Sequence, residues 1–192
     1  VDGKSFDPDV TADVGFGTTD ILIYDSGQKL ENCPKLVIPS QTRQVAARLK
    51  AATAEGLPVV LKGVAMGGGP CGMALKEHLK AGLAVYASPA VALTFNDSLD
   101  VVRSWGVKVI DDPLEAAPAA SAVIQTGDID LQRLRRALVD LGIDPHFDGA
   151  AVAVQDHGFA PGQSNREFRF ALWQEKLAEE PDLAALAYRG DE

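Results

Sequence analysis

Between Thr11 and Tyr24 the chain reads Thr-Ala-Asp-Val-Gly-Phe-Gly-Thr-Thr-Asp-Ile-Leu-Ile-Tyr: two short apolar stretches around a Gly-x-Gly bend. The spacing predicts antiparallel strands over 10–15 and 19–26, with Ile21 and Ile23 on one face of the pleat and Leu22 and Tyr24 on the other, so the second strand is expected to be covered on both sides. Asp13 sits where the first strand ends, Gly15 and Gly17 bare the backbone at the bend, and Thr18 and Thr19 follow with hydroxyls. Main-chain N–H groups without a Cβ in the way can approach phosphate oxygens, so these residues are candidates for holding a phosphorylated ligand. Asp13 is the candidate carboxylate for a hydrated Mg²⁺. A plain tight hairpin whose glycines supply positive φ is the alternative. Asp20, on the second strand, is either an edge charge or a ligand.

The rest of the chain alternates strand and helix. A strand is expected over Lys35 to Ile38, then a helix capped by Ser40, with Val45, Leu49 and Ala52 on one face and a stop at Gly56. Pro58 to Ala65 reads as a strand buried on both faces. It runs into Gly67-Gly68-Gly69-Pro70 and a helix through Leu75 and Leu79 that ends at Gly82. Strands are expected at Leu83 to Tyr86, Val107 to Ile110 and Ala122 to Gln125. Between them lie a helix opened by Ser88-Pro89 and one carrying Leu99, Val102 and Trp105. Asp128 is the expected cap of a helix whose Leu131, Leu134, Leu138 and Leu141 form one apolar face. Ala150 to Gln155 is expected as a further buried strand. Ser164-Asn165-Arg166-Glu167 has the form of a capping box before a final helix through Phe168, Leu172 and Leu177. An antiparallel meander followed by β-α-β units, with helices on both faces of one mixed sheet, is the layout of a ribonuclease-H-like α/β domain. One such domain over residues 1–192 is the expected organisation. The start at Val1 and the end in Gly190-Asp191-Glu192 read as those of a piece cut from a longer protein.

Composition narrows the partners. With 18 Lys and Arg against 27 Asp and Glu, net charge -9, the chain lacks the basic footprint that nucleic acid or an anionic membrane requires. No apolar run reaches the roughly 20 residues of a membrane span, and no signal segment opens the chain. Two cysteines, Cys33 and Cys71, are too few for a disulfide framework, which points to a reducing cytoplasm.

The segment Asp13-Val14-Gly15-Phe16-Gly17-Thr18-Thr19-Asp20 with Ile-Leu-Ile-Tyr at 21–24 resembles the phosphate hairpin of the actin-like ATPases. That superfamily includes heat-shock chaperone ATPases and sugar kinases. Residues 60–70, Val-Leu-Lys-Gly-Val-Ala-Met-Gly-Gly-Gly-Pro, are similar to the strand and glycine turn that lie against adenosine there. The resemblance implies ATP and Mg²⁺ as cofactors, held by Asp13, Gly15, Gly17, Thr18, Thr19, Gly67, Gly68 and Gly69, in a cleft completed by a second half. Phe16 departs from the pattern, which has a small residue at that bend, and implies a narrower pocket. Glu31-Asn32-Cys33-Pro34-Lys35, Met66-Gly67-Gly68-Gly69-Pro70 and Gln155-Asp156-His157-Gly158 together resemble a family of prokaryotic proteins labelled as pyruvate formate-lyase activating enzymes. Activating enzymes of that kind hold an iron–sulfur cluster on a Cys-x-x-x-Cys-x-x-Cys run, which two distant cysteines do not supply. Some actin-like ATPases bridge one cluster between two subunits with two cysteines from each. Two free thiols is the simpler reading of Cys33 and Cys71.

Other candidates stand apart. Gly67, Gly68 and Gly69 precede a helix N-terminus, where open α/β sheets bind anions, although close packing of the turn also calls for glycine. Asp156 and His157 follow the last strand and are candidates for a general base or a metal ligand in a hydrolase, against a loop His bonded to backbone. Asn165 and Arg166 are placed to reach an anion at the same edge. His78 is expected on a helix surface and His146 in a loop. Three functions compete: a nucleotide-binding or phosphotransfer domain, a non-enzymatic binding module on the same scaffold, and a metal-dependent hydrolase using Asp156 and His157.

Overall fold

A computed structural model describes residues 9–64, 67–154, 160 and 163–187. The chain divides into two compact units, Val1–Val154 and Gln155–Glu192.

In the first unit, β1 (Asp9–Val14), β2 (Thr18–Tyr24) and β3 (Lys35–Pro39) form the expected antiparallel meander. Then come α1 (Gln41–Ala54), β4 (Val59–Gly63), α2 (Gly69–Lys80), β5 (Val85–Ala87), α3 (Pro89–Phe95), α4 (Leu99–Ser104), β6 (Lys108–Val109) and α5 (Pro113–Ala116). β7 (Ala122–Thr126), α6 (Leu131–Asp140) and β8 (Ala150–Ala153) complete the unit. Helices α1, α2, α4 and α6 are each followed within two residues by a positive-φ glycine, at Gly56, Gly82, Gly106 and Gly142. Those stops are the ones the sequence marks.

One mixed sheet was expected; the chain builds two. The first, ordered β3-β2-β1-β8, is mixed, with β8 parallel to β1. The second, ordered β6-β5-β4-β7, is wholly parallel. The division follows from burial. Val59, Val60 and Leu61 of β4 and Val85, Tyr86 and Ala87 of β5 are all buried, so both faces of the parallel sheet are covered. One face packs on α1 and α2 through Leu49, Leu61, Ala74 and Leu75. The mixed sheet instead covers one face only: Val10, Ala12, Ile21 and Ile23 meet Leu134 and Leu138 of α6.

Local expectations were corrected where tertiary contacts outbid the pattern. The α6 cap is Asp130, whose carboxylate accepts from Arg133 N at 2.9 Å, rather than Asp128. Leu141 falls past the last turn and is 61% exposed, so the buried face of α6 is Leu134 and Leu138. β8 is exposed along its whole length and ends at Ala153, since among the described residues it has β1 as its single sheet neighbour. In the second unit, α7 (Asn165–Glu179) precedes a short 3-10 helix, Leu183–Leu186. Ser164 stands at the N-cap of α7, but its side chain makes no capping bond.

His78 is also reassigned: it is fully buried, one and two turns along α2 from Ala74 and Cys71 on the face that meets α1. Its Nδ1 lies 2.8 Å from Thr53 Oγ1, and that hydroxyl donates its own proton to Leu49 O. The Thr53 hydroxyl thus lies between His78 Nδ1 and Leu49 O. Burial lowers the His78 pKa from the ordinary 6.5, and the Ala84 backbone offsets part of that. The unfolded chain then binds the extra proton first. Stability is complete above pH 6.5 and falls as pH drops through the folded-state value. The urea midpoint is expected to fall between pH 7.5 and pH 5 more steeply than in His78→Asn; parallel pH profiles would refute the assignment.

Candidate functional site

The hairpin bend is built by alternation. Val14 pairs with Thr19 and Asp13 with Asp20, and Gly15 N donates to Thr18 O at 2.9 Å to close the turn. A period of two puts Asp13, Thr18 and Asp20 on the exposed face and Val14 and Thr19 on the buried one. Asp13 and Asp20 thus face solvent directly opposite each other. The Thr18 hydroxyl donates to Asp20 Oδ2 at 3.3 Å. Thr19, 2% exposed, points to the other side of the sheet, away from Asp13. Neither Gly15 nor Gly17 has positive φ, so the turn does not need glycine for that reason. A Cβ on Gly15 would come 3.0 Å from Thr18 O, whereas one on Gly17 would meet nothing within 4 Å. Gly17 is open backbone at the tip of the bend.

The start of α1 pins that bend. Ser40 N donates to Gly17 O at 3.1 Å, and the Ser40 and Thr42 hydroxyls reach Phe16 O at 2.9 and 3.0 Å. The two hydroxyls also lie 2.9 Å apart; with one proton each, they satisfy two of these three contacts at a time. Both residues are buried, so removing either would strand a polar group away from water. Ser40 occupies the N-cap position of α1, as expected, but spends its side chain on Phe16 rather than on the helix amides.

The fixed bend places Phe16 over the glycine loop. A Cβ on Gly69 would lie 2.0 Å from Phe16 Cε2, and Gly69 has φ +55, so a side chain there is strained and displaces the ring. Gly67 is filled from the other side: its Cβ would come 2.6 Å from Thr94 Oγ1 and 2.8 Å from Phe95 Cγ, and its N–H donates to Thr94 O at 3.1 Å. Gly68 faces open space. Packing therefore accounts for two glycines of the triplet, and the third is accessible backbone beside the first turn of α2. The hairpin meets the glycine loop through the Phe16 ring at Gly69. Asp156 and His157 lie outside the described residues, as do the side chains of Asn165 and Arg166. His146 is a loop residue, with Nδ1 2.7 Å from Asp144 Oδ1.

Sheet order adds residues that sequence reasoning missed. In the order β6-β5-β4-β7 the chain runs outward from β4 through β5 to β6 and then crosses back to β7 on the other side of β4, and the crevice beyond the carboxyl ends of β4 and β7 is the switch point where such sheets bind ligands. Gly63 closes it: φ is +105, and a Cβ would sit 2.2 Å from Thr126 O. Thr126 Oγ1 donates to Lys62 O at 3.1 Å, locking the two strand ends together. A polar cleft of about 490 Å³ opens at the end of β7, lined by Gln41, Arg48, Gln125, Thr126 and Gln132 among others. The available signal was Thr126-Gly127-Asp128, a strand end running into glycine.

The thiols are no part of this site. Cys71 is buried in the core under α1, and burial pushes its pKa up to about 12. Cys33 is buried elsewhere, with Sγ 3.8 Å from Asp25 O and 3.7 Å from Lys29 O. The two buried thiols thus lie in separate environments. Among the described residues no three His, Cys, Asp or Glu side chains are grouped to hold a metal ion, and no helix is long and apolar enough to cross a membrane.

Residues 66–192 match a family model described as "Putative pyruvate format-lyase activating enzyme". The chain belongs to this family. The matched span begins at the glycine loop and takes in α2, β7 and β8, and the hairpin precedes it. The chain matches no curated protein and no solved structure.

Gly63→Ala tests the closed switch point. Strain at positive φ together with the Thr126 clash is expected to cost at least about 2 kcal/mol in urea unfolding. A cost under about 0.5 kcal/mol would show that β4 and β7 do not approach as described.

Proposed function

We propose that this chain is a phosphate- or nucleotide-binding domain of actin-like ATPase type, built on a ribonuclease-H-like sheet. The observation that carries the reading is the seating of the hairpin bend on the N-terminal end of α2 through Phe16 and Gly69. Two stretches of accessible backbone, at Gly17 and Gly68, then flank one aromatic ring, and the α2 dipole favours an anion beside them. The mixed sheet supports the fold reading, because an antiparallel meander with a fourth strand parallel to β1 is the strand arrangement it expects. A reducing cytoplasm suits the two free thiols.

The residues fit a hydrated Mg²⁺ in one respect: Asp13 and Asp20 present paired carboxylates on the exposed face, with the Thr18 hydroxyl already bonded to Asp20. When bound, the ion would neutralise phosphate charge there. Asp13 would hold its water shell, and Gly17, Thr18 and Gly68 would contact phosphate oxygens. Thr19 supports the hairpin from the buried face. The Phe16 ring covers the first turn of α2 and has to swing aside for a phosphate to reach those amides. That ring is also what favours a second reading, a binding module that kept the scaffold and closed the anion site.

Calorimetry with Mg-ATP, Mg-ADP and inorganic phosphate separates the two readings. The native chain is expected to bind at least one of them, Phe16→Ala to bind it more tightly by about ten-fold, and Asp13→Ala to lose the Mg²⁺ dependence. No binding by the native chain or by Phe16→Ala would establish the closed module. Equal binding by Asp13→Ala with and without Mg²⁺ would remove the metal role.

A further inference from the structure

A further cavity, of about 430 Å³, lies against the outer side of α6. That is within the roughly 300–1,000 Å³ of small-molecule sites. Leu134 and Leu138 are spent on the mixed sheet, which leaves Arg135, Arg136, Val139 and Asp140 to form one wall. The chain turns at Gly142, φ +72, and Pro145 and His146 of the returning loop form the other. That loop is pinned. Ile143 N donates to Leu138 O at 2.8 Å, and Phe147 packs on the mixed-sheet core. Asp144 Oδ1 accepts from His146 N at 2.9 Å and meets the ring Nδ1 at 2.7 Å, and these bonds hold the Asp144 carboxyl below its ordinary range. The Asp144 charge is therefore spent on His146.

The charges on the cavity lining are not spent. The Arg135 guanidinium lies over the Phe147 ring, 4.8 Å from its centroid, a stack that occupies its face and leaves its N–H edge for another partner. Among the described residues neither Arg135, Arg136 nor Asp140 makes a side-chain hydrogen bond or an ion pair. Two guanidinium groups against one carboxylate leave the lining net positive, on a chain whose net charge is -9. Val139, 57% exposed, and Pro145 add apolar surface to the same lining.

We infer that this cavity binds a monocarboxylate carried on an apolar body. The paired N–H donors of a guanidinium match the two oxygens of a carboxylate. One surplus positive charge suits one negative charge, whereas a polyphosphate would set extra charge against Asp140. Val139 and Pro145 take the apolar body, a burial that a small hydrophilic anion forgoes. The site shares no residue with the hairpin or the glycine loop, so it stands whether or not phosphate binds there.

Amide shifts in ¹⁵N-labelled protein, titrated separately with benzoate, benzyl alcohol, acetate and inorganic phosphate, test the site. Benzoate is expected to give saturable shifts at Arg136, Val139 and His146, with a Kd of about 1 mM or below. Benzyl alcohol lacks the charge, and acetate and phosphate lack the apolar body, so each should bind at least about ten-fold more weakly. The double variant Arg135→Gln with Arg136→Gln should lose benzoate binding by at least about ten-fold while its circular dichroism spectrum and urea midpoint stay native. Absence of saturable benzoate shifts would overturn the proposal, as would unchanged benzoate affinity in the folded double variant. Benzyl alcohol bound as tightly as benzoate would remove the carboxylate, and acetate or phosphate bound as tightly would remove the apolar body; either overturns the ligand class.

Discussion

The Phe16 carbonyl, held by the Ser40 and Thr42 hydroxyls, is the contact on which the site depends. It ties the tip of the β1–β2 hairpin to the first turn of α1, and so ties the mixed sheet to the helix that packs on the parallel one. Each of these hydrogen bonds contributes only about 1 kcal/mol net. Their larger effect is on position, since a pinned carbonyl at Phe16 sets where the bend carries its half-exposed ring. The ring lands on Gly69, whose positive φ suits glycine. Hairpin, α1 and α2 then meet beside the carboxyl ends of β4 and β7, where Gly63 lets the strands close.

Sequence reading succeeded where the cause is local. Glycine stops, the Ser88-Pro89 helix start and the period-2 alternation of β2 depend on neighbours along the chain, and each is where the residues put it. It failed where the cause is distant. Ser40 looks like any helix cap until Phe16 O comes within reach from 24 residues away. His78 sits in a polar-looking stretch, Lys76-Glu77-His78, and is buried because α1 covers that face of α2. Ala150 to Val154 has the composition of a core strand and lies at an edge. The split into two sheets depends on whether β7 returns to β4 or to β1, and strand composition does not encode that choice.

At the site, glycine identity was legible but its reasons were not. Gly15 and Gly17 were read as bare backbone for phosphate, with positive φ as the plain-hairpin alternative; neither has positive φ, Gly15 avoids Thr18 O, and Gly17 is open. In the Gly67–Gly69 run, two residues are glycine for packing against Phe95 and Phe16, and one remains for a ligand. Thr18 and Thr19, adjacent in sequence, serve opposite faces of the sheet. The family label belongs to an activating enzyme, yet the chemistry that label evokes needs a Cys-x-x-x-Cys-x-x-Cys run, and the two cysteines of the chain, Cys33 and Cys71, do not form one. The accessible polar groups gather instead at the hairpin and at the switch point.

The seating of Phe16 on Gly69 is the central claim, and proton NMR reads it directly. The account predicts nuclear Overhauser contacts from the Phe16 ring protons to the Gly69 α-protons, with those α-protons ring-shifted upfield and returning to ordinary values in Phe16→Leu. Gly69 α-protons at ordinary shifts, without contacts to the ring and unchanged in Phe16→Leu, would contradict it.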